Sequence, residues 1–272
     1  IKKILDLLFL FNFGRYLIEK LKLNINSKQY SINYKNKKYK FFIPNRLNYF
    51  RAETFLTKEP ETIDWIEKFS KDKIFWDVGA NIGLYSCFAA KESNSKVYAF
   101  EPSIFNLELL SKNIYYNDIS DNIVIVPISL TDKIKVSNFN MSNTAAGGSM
   151  STFSKKYGDD GKFFHPVFNY KTLGATGNTM VNIFNLEKPH YIKIDVDGIE
   201  DLILNGCSGV LDKVKSIMIE INENFAEKEK NVENFLKSRN FFLMKQKQLD
   251  KEQHPKFNPK INNQIWYKKQ NI

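Results

Sequence analysis

The residues that could carry out chemistry in this chain of 272 amino acids lie in four short segments that form three groups, each segment at the end of a hydrophobic run. The first segment, DVGANIG, extends from Asp77 to Gly83, between a predicted strand and a predicted helix. We expect Gly79 to allow a tight turn and Gly83 to allow close approach of the helix and a ligand. Because the first turn of a helix has free backbone N–H groups, this loop predicts a site for a nucleotide-like ligand.

Asp77 distinguishes this loop from the common phosphate-binding loops. The dinucleotide fingerprint G-x-G-x-x-G and the G-K-[ST] phosphate loop are both absent. A carboxylate at this position would repel a pyrophosphate, whereas its interaction with a cationic or amino-acid-bearing ligand would be favourable. The loop therefore favours a ligand of the second kind.

The second segment places Glu101 at the end of the next predicted strand, in YAFEP, eighteen residues after Gly83. In a doubly wound sheet, an acidic residue about 20 positions beyond the glycine-rich turn can accept hydrogen bonds from both ribose hydroxyls. Together, the loop and Glu101 favour a nucleoside-containing ligand over a glycine turn with an unrelated, solvated glutamate.

The third group consists of acidic residues at the ends of two later strands: Asp195 and Asp197 in KIDVDGIE, and Glu220 in IMIEIN. Open α/β sheets bind ligands beyond the carboxyl ends of their strands, so we expect these carboxylates to point into one crevice. Clustered acids can act as a general base or bind a cation. For Asp197 and Glu200 the alternative is capping of the following helix.

Alternating strands and helices are expected to position these segments. This alternation predicts parallel pairing with right-handed crossovers, and hence a doubly wound α/β sheet with the last two strands as an antiparallel pair at its edge. The predicted strands are 74–76, 96–100, 123–128, 191–196, 216–221, 241–245 and 264–268, and the predicted helices are 60–69, 84–90, 103–115, 199–211 and 223–239.

Two regions stand outside that alternation and divide the chain. Residues 1–59 are predicted to form an extension with a helix and a β-hairpin over 30–43, and residues 60–272 the main domain. Within the main domain, residues 136–189 are turn-rich apart from a short helix predicted over 180–186. A segment this long without regular elements is usually functional, so we interpret it as a lid or acceptor-binding insertion; the alternative is a surface excursion.

The apolar N-terminus, residues 1–23, raises a choice between packing and membrane contact. Asp6, Asn12, Gly14 and Arg15 interrupt a run that would need about 20 apolar residues to cross a bilayer. We expect an amphipathic helix that packs on the rest of the chain; the alternative is an interfacial anchor with basic residues near lipid headgroups. Because the first residue is isoleucine, we also expect a processed chain or a fragment, and leave open whether a domain precedes it.

Composition limits the class of protein. With 23 Phe, 13 Tyr and 3 Trp, the chain has too many aromatic residues for a disordered protein and must bury them in a core. Two cysteines cannot form a disulfide framework or a cysteine-rich zinc module, so we expect a reduced, cytoplasmic protein. The net charge of +10 comes from dispersed lysines. It favours a solvated surface, with attraction to an anion or a membrane surface as the alternative.

In their order and spacing, DVGANIG, VYAFEP, YIKIDVDGIEDLILNG and IMIEIN resemble the FkbM-type S-adenosylmethionine-dependent methyltransferases. The resemblance covers residue 51 to the C-terminus. It implies a class I methyltransferase fold, Rossmann-like and mostly parallel with a C-terminal antiparallel hairpin, and methylation of a hydroxyl on a sugar, glycan or secondary metabolite. It further implies that the methionine moiety is held by Asp77, Gly79, Asn81 and Gly83, the ribose by Glu101 and the adenine near Ser129, with Ala80, Pro102 and Asp195 also at the cofactor.

The expected reaction is an in-line displacement, in which alignment of the acceptor oxygen supplies much of the acceleration. An alcohol must also lose its proton. We predict Asp195 as the general base, with Glu220 and Asp197 as second candidates. His165 in the insertion is another candidate, whereas the two remaining histidines are expected to be structural or exposed.

S-adenosylmethionine is the predicted cofactor, no metal ligands are predicted, and the need for a divalent cation stays open. The predicted partner is a small-molecule or glycan acceptor. A nucleic-acid substrate is disfavoured because the N-P-P-[YF] tetrad of amino methyltransferases does not follow the fourth strand, where DVDG stands. The alternative function, from another class of protein, is a non-catalytic module that keeps the cofactor pocket or docks on a membrane or a partner. If it docks on a membrane, the expected location is the cytoplasm, at the membrane surface.

Overall fold

The N-terminal region combines two helices, a β-hairpin and a third helix. The structure is a computed structural model that describes residues 2–25, 27–244 and 261–269. Strands β1 and β2 pair antiparallel, so the predicted hairpin is confirmed. In chain order the elements are α1 (Lys2–Phe9), α2 (Asn12–Ile25), β1 (Gln29–Tyr34), β2 (Lys37–Phe42) and α3 (Arg46–Glu53).

The prediction of one N-terminal helix packed on the rest of the chain is wrong in both respects. The chain bends between α1 and α2, and a Cβ on Gly14 would lie 1.9 Å from the carbonyl oxygen of Leu8, so glycine allows this close approach. Apolar side chains of both helices and of the bend stay exposed: Ile4 in α1, Phe11 in the bend and Phe13 in α2 are 63%, 62% and 71% exposed. Within the described residues, α1 and α2 pack chiefly on each other.

The first half of the main domain confirms the predicted alternation, with shifts of a few residues at the ends of elements. Helix α4 begins at Pro60, whose fixed φ suits the first turn. Helix α6 packs against strand β2, which joins the N-terminal hairpin to the main domain. The elements are α4 (Pro60–Glu67), β3 (Ile74–Val78), α5 (Leu84–Ser93), β4 (Lys96–Phe100), α6 (Ile104–Asn117) and β5 (Ile123–Val126).

The predicted insertion contains more regular structure than its sequence indicates. Four strands form a second sheet in the order β6-β9-β7-β8, so the expectation of a long stretch without regular elements is wrong. Strands β7 and β9 pair antiparallel across a long intervening segment, a relation that no local pattern reveals. The elements are β6 (Ser129–Leu130), β7 (Lys135–Met141), β8 (Ser151–Phe153), β9 (Phe168–Ala175) and α7 (Gly177–Asn182), the last a few residues earlier than predicted.

The second half of the main domain completes a seven-stranded sheet in the order β12-β13-β11-β10-β3-β4-β5. All pairings are parallel except those of β13, which is antiparallel to both β11 and β12. The predicted antiparallel pair at the sheet edge is therefore confirmed, with β13 inserted between β11 and β12. The elements are β10 (Tyr191–Ile194), α8 (Glu200–Gly206), β11 (Ser216–Asn222), α9 (Ala226–Ser238), β12 (Phe241–Leu243) and β13 (Ile261–Lys268).

The hydrophobic core lies on both faces of the main sheet. Successive residues of a strand point to opposite faces, so Trp76 and Ile192 belong to one cluster, and Phe75 and Tyr191 to the other. All five residues of β3 are buried. A strand covered on both faces is typical of parallel sheets, and it fixes where the loop that follows β3 emerges.

Candidate active site

The carboxyl ends of β3, β4, β10 and β11 meet at one edge of the main sheet, around a cavity of about 270 Å³. This volume lies near the lower end of the range of about 300–1,000 Å³ for small-molecule sites. Ten of the predicted site residues lie in the cavity wall, and Gly83 lies outside it. The ten are Asp77, Gly79, Ala80, Asn81, Glu101, Pro102, Ser129, Asp195, Asp197 and Glu220.

The two glycines of the first loop make room for other parts of the protein. Gly79 has a φ of 87°, and a Cβ there would lie 2.0 Å from the carbonyl oxygen of Asp195, so glycine lets the end of β3 pass close to the end of β10. Gly83 has a φ of 81°, and its Cβ would lie 2.3 Å from Cδ1 of Leu110. Gly83 therefore lets α5 start against α6, a packing role in place of the ligand approach expected of it.

Asp77 is buried beside this loop. The hydroxyl of Ser86 donates a hydrogen bond to its Oδ2 at 2.5 Å, which joins the end of β3 to α5. Burial raises the pKa of Asp77, although the nearby ammonium of Lys193 opposes the shift. Asp77 thus stabilises the loop between β3 and α5.

Glu101 uses both carboxylate oxygens within the protein. It is 4% exposed and accepts hydrogen bonds from the backbone N–H groups of Asn81 at 2.8 Å and Ser103 at 2.7 Å. Burial raises its pKa to about 7, although these donors oppose the shift. Because a carboxylate oxygen has more than one lone pair, Glu101 can still accept hydrogen bonds from hydroxyls in the cavity.

Two buried hydroxyl groups in the same wall, those of Ser103 and Ser129, have no hydrogen-bond partner among the described residues. Buried polar groups are normally hydrogen-bonded, so these two are suited to a partner supplied by a ligand. Together with Glu101, they fit a ligand that carries a ribose and a nitrogen-containing base. We call residues 77–82, Glu101, Ser103 and Ser129 the glycine-loop side of the cavity.

The rest of the wall includes Lys193, Asp195, Asp197 and Glu220, which we call the acidic side. Lys193 is 2% exposed and pairs with Asp195. Burial opposes the charge of Lys193, yet Asp195, Glu59 and Asp77 raise its pKa above the ordinary value.

The same pair determines the state of Asp195. Burial favours its neutral form, but Lys193 outweighs burial and holds the pKa of Asp195 below its ordinary value. Both groups are therefore charged at neutral pH.

The other two acids of the acidic side differ from Asp195 and from each other. Asp197 accepts a hydrogen bond from the backbone N–H of Ser151 at 2.7 Å, and burial raises its pKa to about 7. The side chain of Glu220 has no hydrogen bond within the described part of the chain, and burial, followed by the charge of Asp195, raises its pKa well above the ordinary value. Of the three, Glu220 is the carboxyl group best suited to take up a proton.

The alternative of helix capping does not hold for Asp197, whereas Glu200 lies in the first turn of α8 and accepts a hydrogen bond from the backbone N–H of Gly198 at 3.3 Å. The N-cap position of α8 is Ile199, and no side chain forms a cap hydrogen bond there. Glu200 forms a buried ion pair with Lys228 at 2.8 Å, which ties α8 to α9. Burial raises the pKa of Glu200 to about 7, although Lys228 opposes the shift.

The loop between β7 and β8 forms part of the cavity wall with residues 148–151. Three successive backbone carbonyls of this loop accept hydrogen bonds from side chains of α3 and the glycine-loop side, so both the N-terminal region and the main domain hold the insertion in place. The bonds run from Asn48 Nδ2 to Ala146 at 2.8 Å, from Arg51 Nε to Gly147 at 2.9 Å, and from Asn81 Nδ2 to Gly148 at 2.8 Å.

Sequence reasoning missed five charged residues of the cavity wall: Arg51, Lys58, Glu59, Asp159 and Lys193. The first three precede the first strand of the main domain, where no local pattern indicates a site. Lys193 does have a signal, since a lysine within the apolar run YIKI must be paired if it is buried. The region assigned to an N-terminal extension therefore contributes directly to the cavity.

The histidines and most aromatic residues of the insertion lie away from the cavity. His165 is exposed and packs against the ring of Phe163, and neither lines the cavity. His190 accepts a hydrogen bond from a backbone N–H of β3, as expected for a structural residue. His254 lies outside the described residues, and Phe153 is the aromatic residue of β8 that lines the cavity.

Residues 2–25, 27–244 and 261–269, which the structure describes, contain no group of three or more His, Cys, Asp or Glu side chains placed to hold a metal ion. No helix within them has the length and apolar character needed to cross a membrane. Cys87 and Cys207 are both buried free thiols.

The fold and the cavity together define a class of protein. The strand order, the antiparallel β13, the glycine loop after β3 and the acid at the end of β4 form the Rossmann-like arrangement of class I S-adenosylmethionine-dependent methyltransferases. The sequence model of the family described as "Methyltransferase FkbM domain" matches residues 77–243, more than half of the chain. The chain belongs to this family, which confirms the resemblance to the FkbM-type methyltransferases.

Comparison with other proteins gives one curated relative and several solved structures of similar fold. Hexuronic acid methyltransferase AglP of Haloferax volcanii is 29% identical over 158 residues, which are 58% of this chain and 59% of that protein. The chain thus spans about three fifths of the length of this relative.

Two solved structures are weakly similar to the chain. An rRNA methylase from Streptococcus thermophilus has a TM-score of 0.47 and 14% identity, over 77% of this chain and 95% of that chain. Precorrin-6y C5,15-methyltransferase from Geobacter metallireducens has a TM-score of 0.43 and 13% identity, over 76% and 84% of the two chains. Likeness at this level says nothing about the substrate.

Proposed function

We propose that this methyltransferase transfers a methyl group to a hydroxyl of a sugar or glycan, with a hydroxylated secondary metabolite as the wider class. The observation that carries this proposal is the placement of three carboxyl groups in the same cavity as the glycine loop. A hydroxyl acceptor must lose a proton, and this side of the cavity offers groups that can receive it. The hexuronic acid methyltransferase that the chain resembles also supports a sugar acceptor.

The glycine-loop side is the proposed cofactor site. Glu101 would accept hydrogen bonds from the ribose hydroxyls, and the hydroxyls of Ser103 and Ser129 would meet polar atoms of the nucleoside. When bound, S-adenosylmethionine supplies a methyl group activated by a positively charged sulfur. The loop at residues 146–148 would exclude water from this side, because side chains of α3 and of the main domain hold it.

On the acidic side we propose different roles for the three carboxyl groups. Glu220, with a raised pKa, would take the proton of the acceptor hydroxyl. Asp195, held by Lys193 and ionised, would orient the acceptor by accepting a hydrogen bond from a second hydroxyl of the sugar. Asp197 would hold the insertion through Ser151. This order of candidates differs from the one expected from sequence, where Asp195 comes first.

Mass spectrometry tests the proposed reaction. The protein would be incubated with methyl-deuterated S-adenosylmethionine and a panel of neutral glycans, uronic-acid glycans and small hydroxylated metabolites, with Mg²⁺ or with a chelator. We expect one labelled methyl group on a hydroxyl of a sugar-containing acceptor. Transfer only to compounds without a sugar, or only to a nitrogen or carboxyl atom, would contradict the proposal. Binding of the cofactor without any transfer would support the non-catalytic alternative.

A second proposal concerns the N-terminal helices. Their exposed apolar side chains, such as Phe11 and Phe13, occur with the basic residues Lys2, Lys3 and Arg15. Exposed apolar surface beside basic residues is typical of helices that lie at a membrane interface. We therefore propose peripheral contact with an anionic membrane surface, independent of the catalytic proposal.

A further inference from the structure

Arg51 is a charged residue of the cavity wall that the proposed reaction does not use. It lies on α3, and its Nε donates a hydrogen bond to the carbonyl oxygen of Gly147 at 2.9 Å. The two terminal amino groups of the guanidinium have no hydrogen-bond partner within the described residues, and the residue lines the cavity. Arg51 thus has one donor engaged by the protein and a free pair of donors on the same rigid plane.

The Gly147 carbonyl that accepts the hydrogen bond from Arg51 is itself fixed in position. Gly147 has a φ of 83°, and a Cβ there would lie 2.1 Å from Oδ1 of Asn48. The N–H of Gly147 donates to Oδ1 of Asn106 at 3.0 Å. Because the carbonyl that holds Nε is constrained from both sides, the orientation of the guanidinium is set before any ligand arrives, which reduces the entropy lost on binding.

The charges of the wall single out Arg51. Three cations line the cavity: Arg51, Lys58 and Lys193. Lys193 pairs with Asp195, and Lys58 lies 3.2 Å from a carboxylate oxygen of Glu59. Within the part of the chain that the structure describes, no carboxylate lies within ion-pair distance of Arg51. It is therefore the cation of the wall that no carboxylate contacts, although Asp195 and Glu59 lie near enough to favour its charged form.

We propose that Arg51 is a carboxylate-binding residue of the cavity. A guanidinium presents two parallel N–H donors that match the two oxygens of a carboxylate. A group of higher negative charge, such as a phosphate, is disfavoured because Asp195, Glu59 and Glu220 lie in the same wall and a single free guanidinium cannot offset it. Two molecules could supply this carboxylate: the methionine part of the cofactor, or an acidic sugar acceptor, and the second source rests on the proposed function.

The first arm of the test measures cofactor binding and needs no acceptor. Titration calorimetry would compare S-adenosylmethionine with its decarboxylated form, which keeps the sulfonium and the amine, on wild type and on Arg51→Gln. If the methionine carboxylate is the ligand, wild type prefers the complete cofactor by about 10- to 100-fold, and Arg51→Gln removes this preference. The matched control is Arg46→Gln, an exposed arginine of the same helix, which should keep it.

The second arm measures KM for a uronic-acid glycan and for the matched neutral glycan. If the acceptor supplies the carboxylate, Arg51→Gln raises KM for the acidic glycan alone, by about 10-fold or more, while cofactor affinity stays unchanged. Arg51→Lys, which keeps the charge and loses the paired donors, should recover part of the loss in whichever arm responds.

Two outcomes would overturn the proposal. One is that Arg51→Gln weakens the complete and decarboxylated cofactors equally and raises both KM values equally, which would mean that Arg51 only supports the loop at Gly147. The other is that the variant changes neither cofactor affinity nor either KM. Because the first arm does not depend on methyl transfer, failure of the proposed reaction would leave its result readable.

Discussion

The two sides of the cavity use the same kind of residue, a buried carboxyl group, in opposite ways. On the glycine-loop side, Asp77 and Glu101 accept hydrogen bonds from Ser86, Asn81 and Ser103, so the protein itself fixes their positions. Such groups can present a defined shape to a ligand without taking part in proton transfer.

On the acidic side, the carboxyl groups are controlled by charge. Asp195 is kept ionised by Lys193, and Glu220 is kept basic by burial and by the neighbouring charge of Asp195. With the roles proposed above, this difference means that the chain separates cofactor binding from proton transfer. We expect substitutions on one side to change cofactor affinity and substitutions on the other to change turnover.

Glu220→Gln should have the largest effect. Removal of a general base typically costs about 10²- to 10⁴-fold in rate, so we expect a loss of kcat of that order with little change in KM for the cofactor. The matched control is Glu223→Gln, an exposed glutamate just beyond β11, which should turn over normally. An unchanged kcat in Glu220→Gln would show that another group receives the proton.

The pH profile sharpens the same test. Glu220 must be deprotonated to accept a proton, and burial raises its pKa well above the ordinary value. The wild-type rate should therefore rise with pH through that raised pKa, at a higher pH than for an ordinary glutamate. Glu220→Gln should lack this limb of the profile. If both proteins share it, the limb belongs to a different group.

Lys193→Met should reduce stability by about 3–5 kcal/mol, because it leaves buried carboxylates without their cation. Urea unfolding measures the free energy of unfolding of both proteins. The control is Lys188→Met: because Lys188 pairs with Asp212 at the surface, its loss should lower the free energy of unfolding by at most about 1 kcal/mol.

The loss of stability in Lys193→Met, its deficit relative to wild type, should depend on pH in a definite direction. Lys193 lowers the pKa of Asp195, so this stabilisation is present above the unfolded pKa of the aspartate and is lost as pH falls through the folded one. The deficit of Lys193→Met should therefore shrink in acid. Equal deficits at about pH 3 and at pH 8, on either side of the ordinary pKa of an aspartate of about 3.9, would mean that the loss comes from packing alone.

Glu101→Gln should weaken cofactor binding by about 10- to 100-fold, because charge-assisted hydrogen bonds contribute about 1.5–3 kcal/mol. Burial raises the pKa of Glu101 to about 7, and the ionised form accepts more hydrogen bonds. Wild-type affinity should thus increase between pH 6 and pH 8, and the variant should lack this increase. Glu108→Gln on the exposed face of α6 is the control.

The smallest effect concerns the N-terminal helices, which lie outside the comparison of the two sides. Wild type should sediment with vesicles that contain phosphatidylglycerol, less so as salt rises. Serine at both Phe11 and Phe13 should reduce this roughly several-fold and leave kcat unchanged. Serine at Ile134 and Val136, which are 59% and 65% exposed in the insertion, is the control. Equal binding to neutral and anionic vesicles, or none, would contradict the membrane proposal.

The main sheet was predictable because its signals are local. A buried run followed by glycines predicts β3 and its loop, and the polar end of β10 predicts Asp195 and Asp197 at the sheet edge. The second sheet was not predictable, since Val136 and Leu173 pair across more than thirty residues of turn-rich sequence. Pairing at that distance depends on tertiary packing, and no period of two or 3.6 residues records it.

The cavity, too, combines residues that local sequence patterns indicate with residues that only tertiary packing brings there. The glycine loop, Glu101 and the three acids lie in recognisable segments, whereas Arg51 and Glu59 reach the cavity only because the N-terminal hairpin packs on α6. The ranking of the acids also needed the structure. Asp195 and Glu220 look alike in sequence, and Lys193 and burial make one strongly acidic and the other basic.

The separation of binding from proton transfer is tested most directly by one calorimetric series: the affinity of wild type, Glu101→Gln and Glu220→Gln for S-adenosylmethionine at pH 8. We predict that Glu220→Gln binds within about twofold of wild type and that Glu101→Gln binds about 10- to 100-fold more weakly. The reverse order, or equal losses in both variants, would contradict the division of the cavity into two sides.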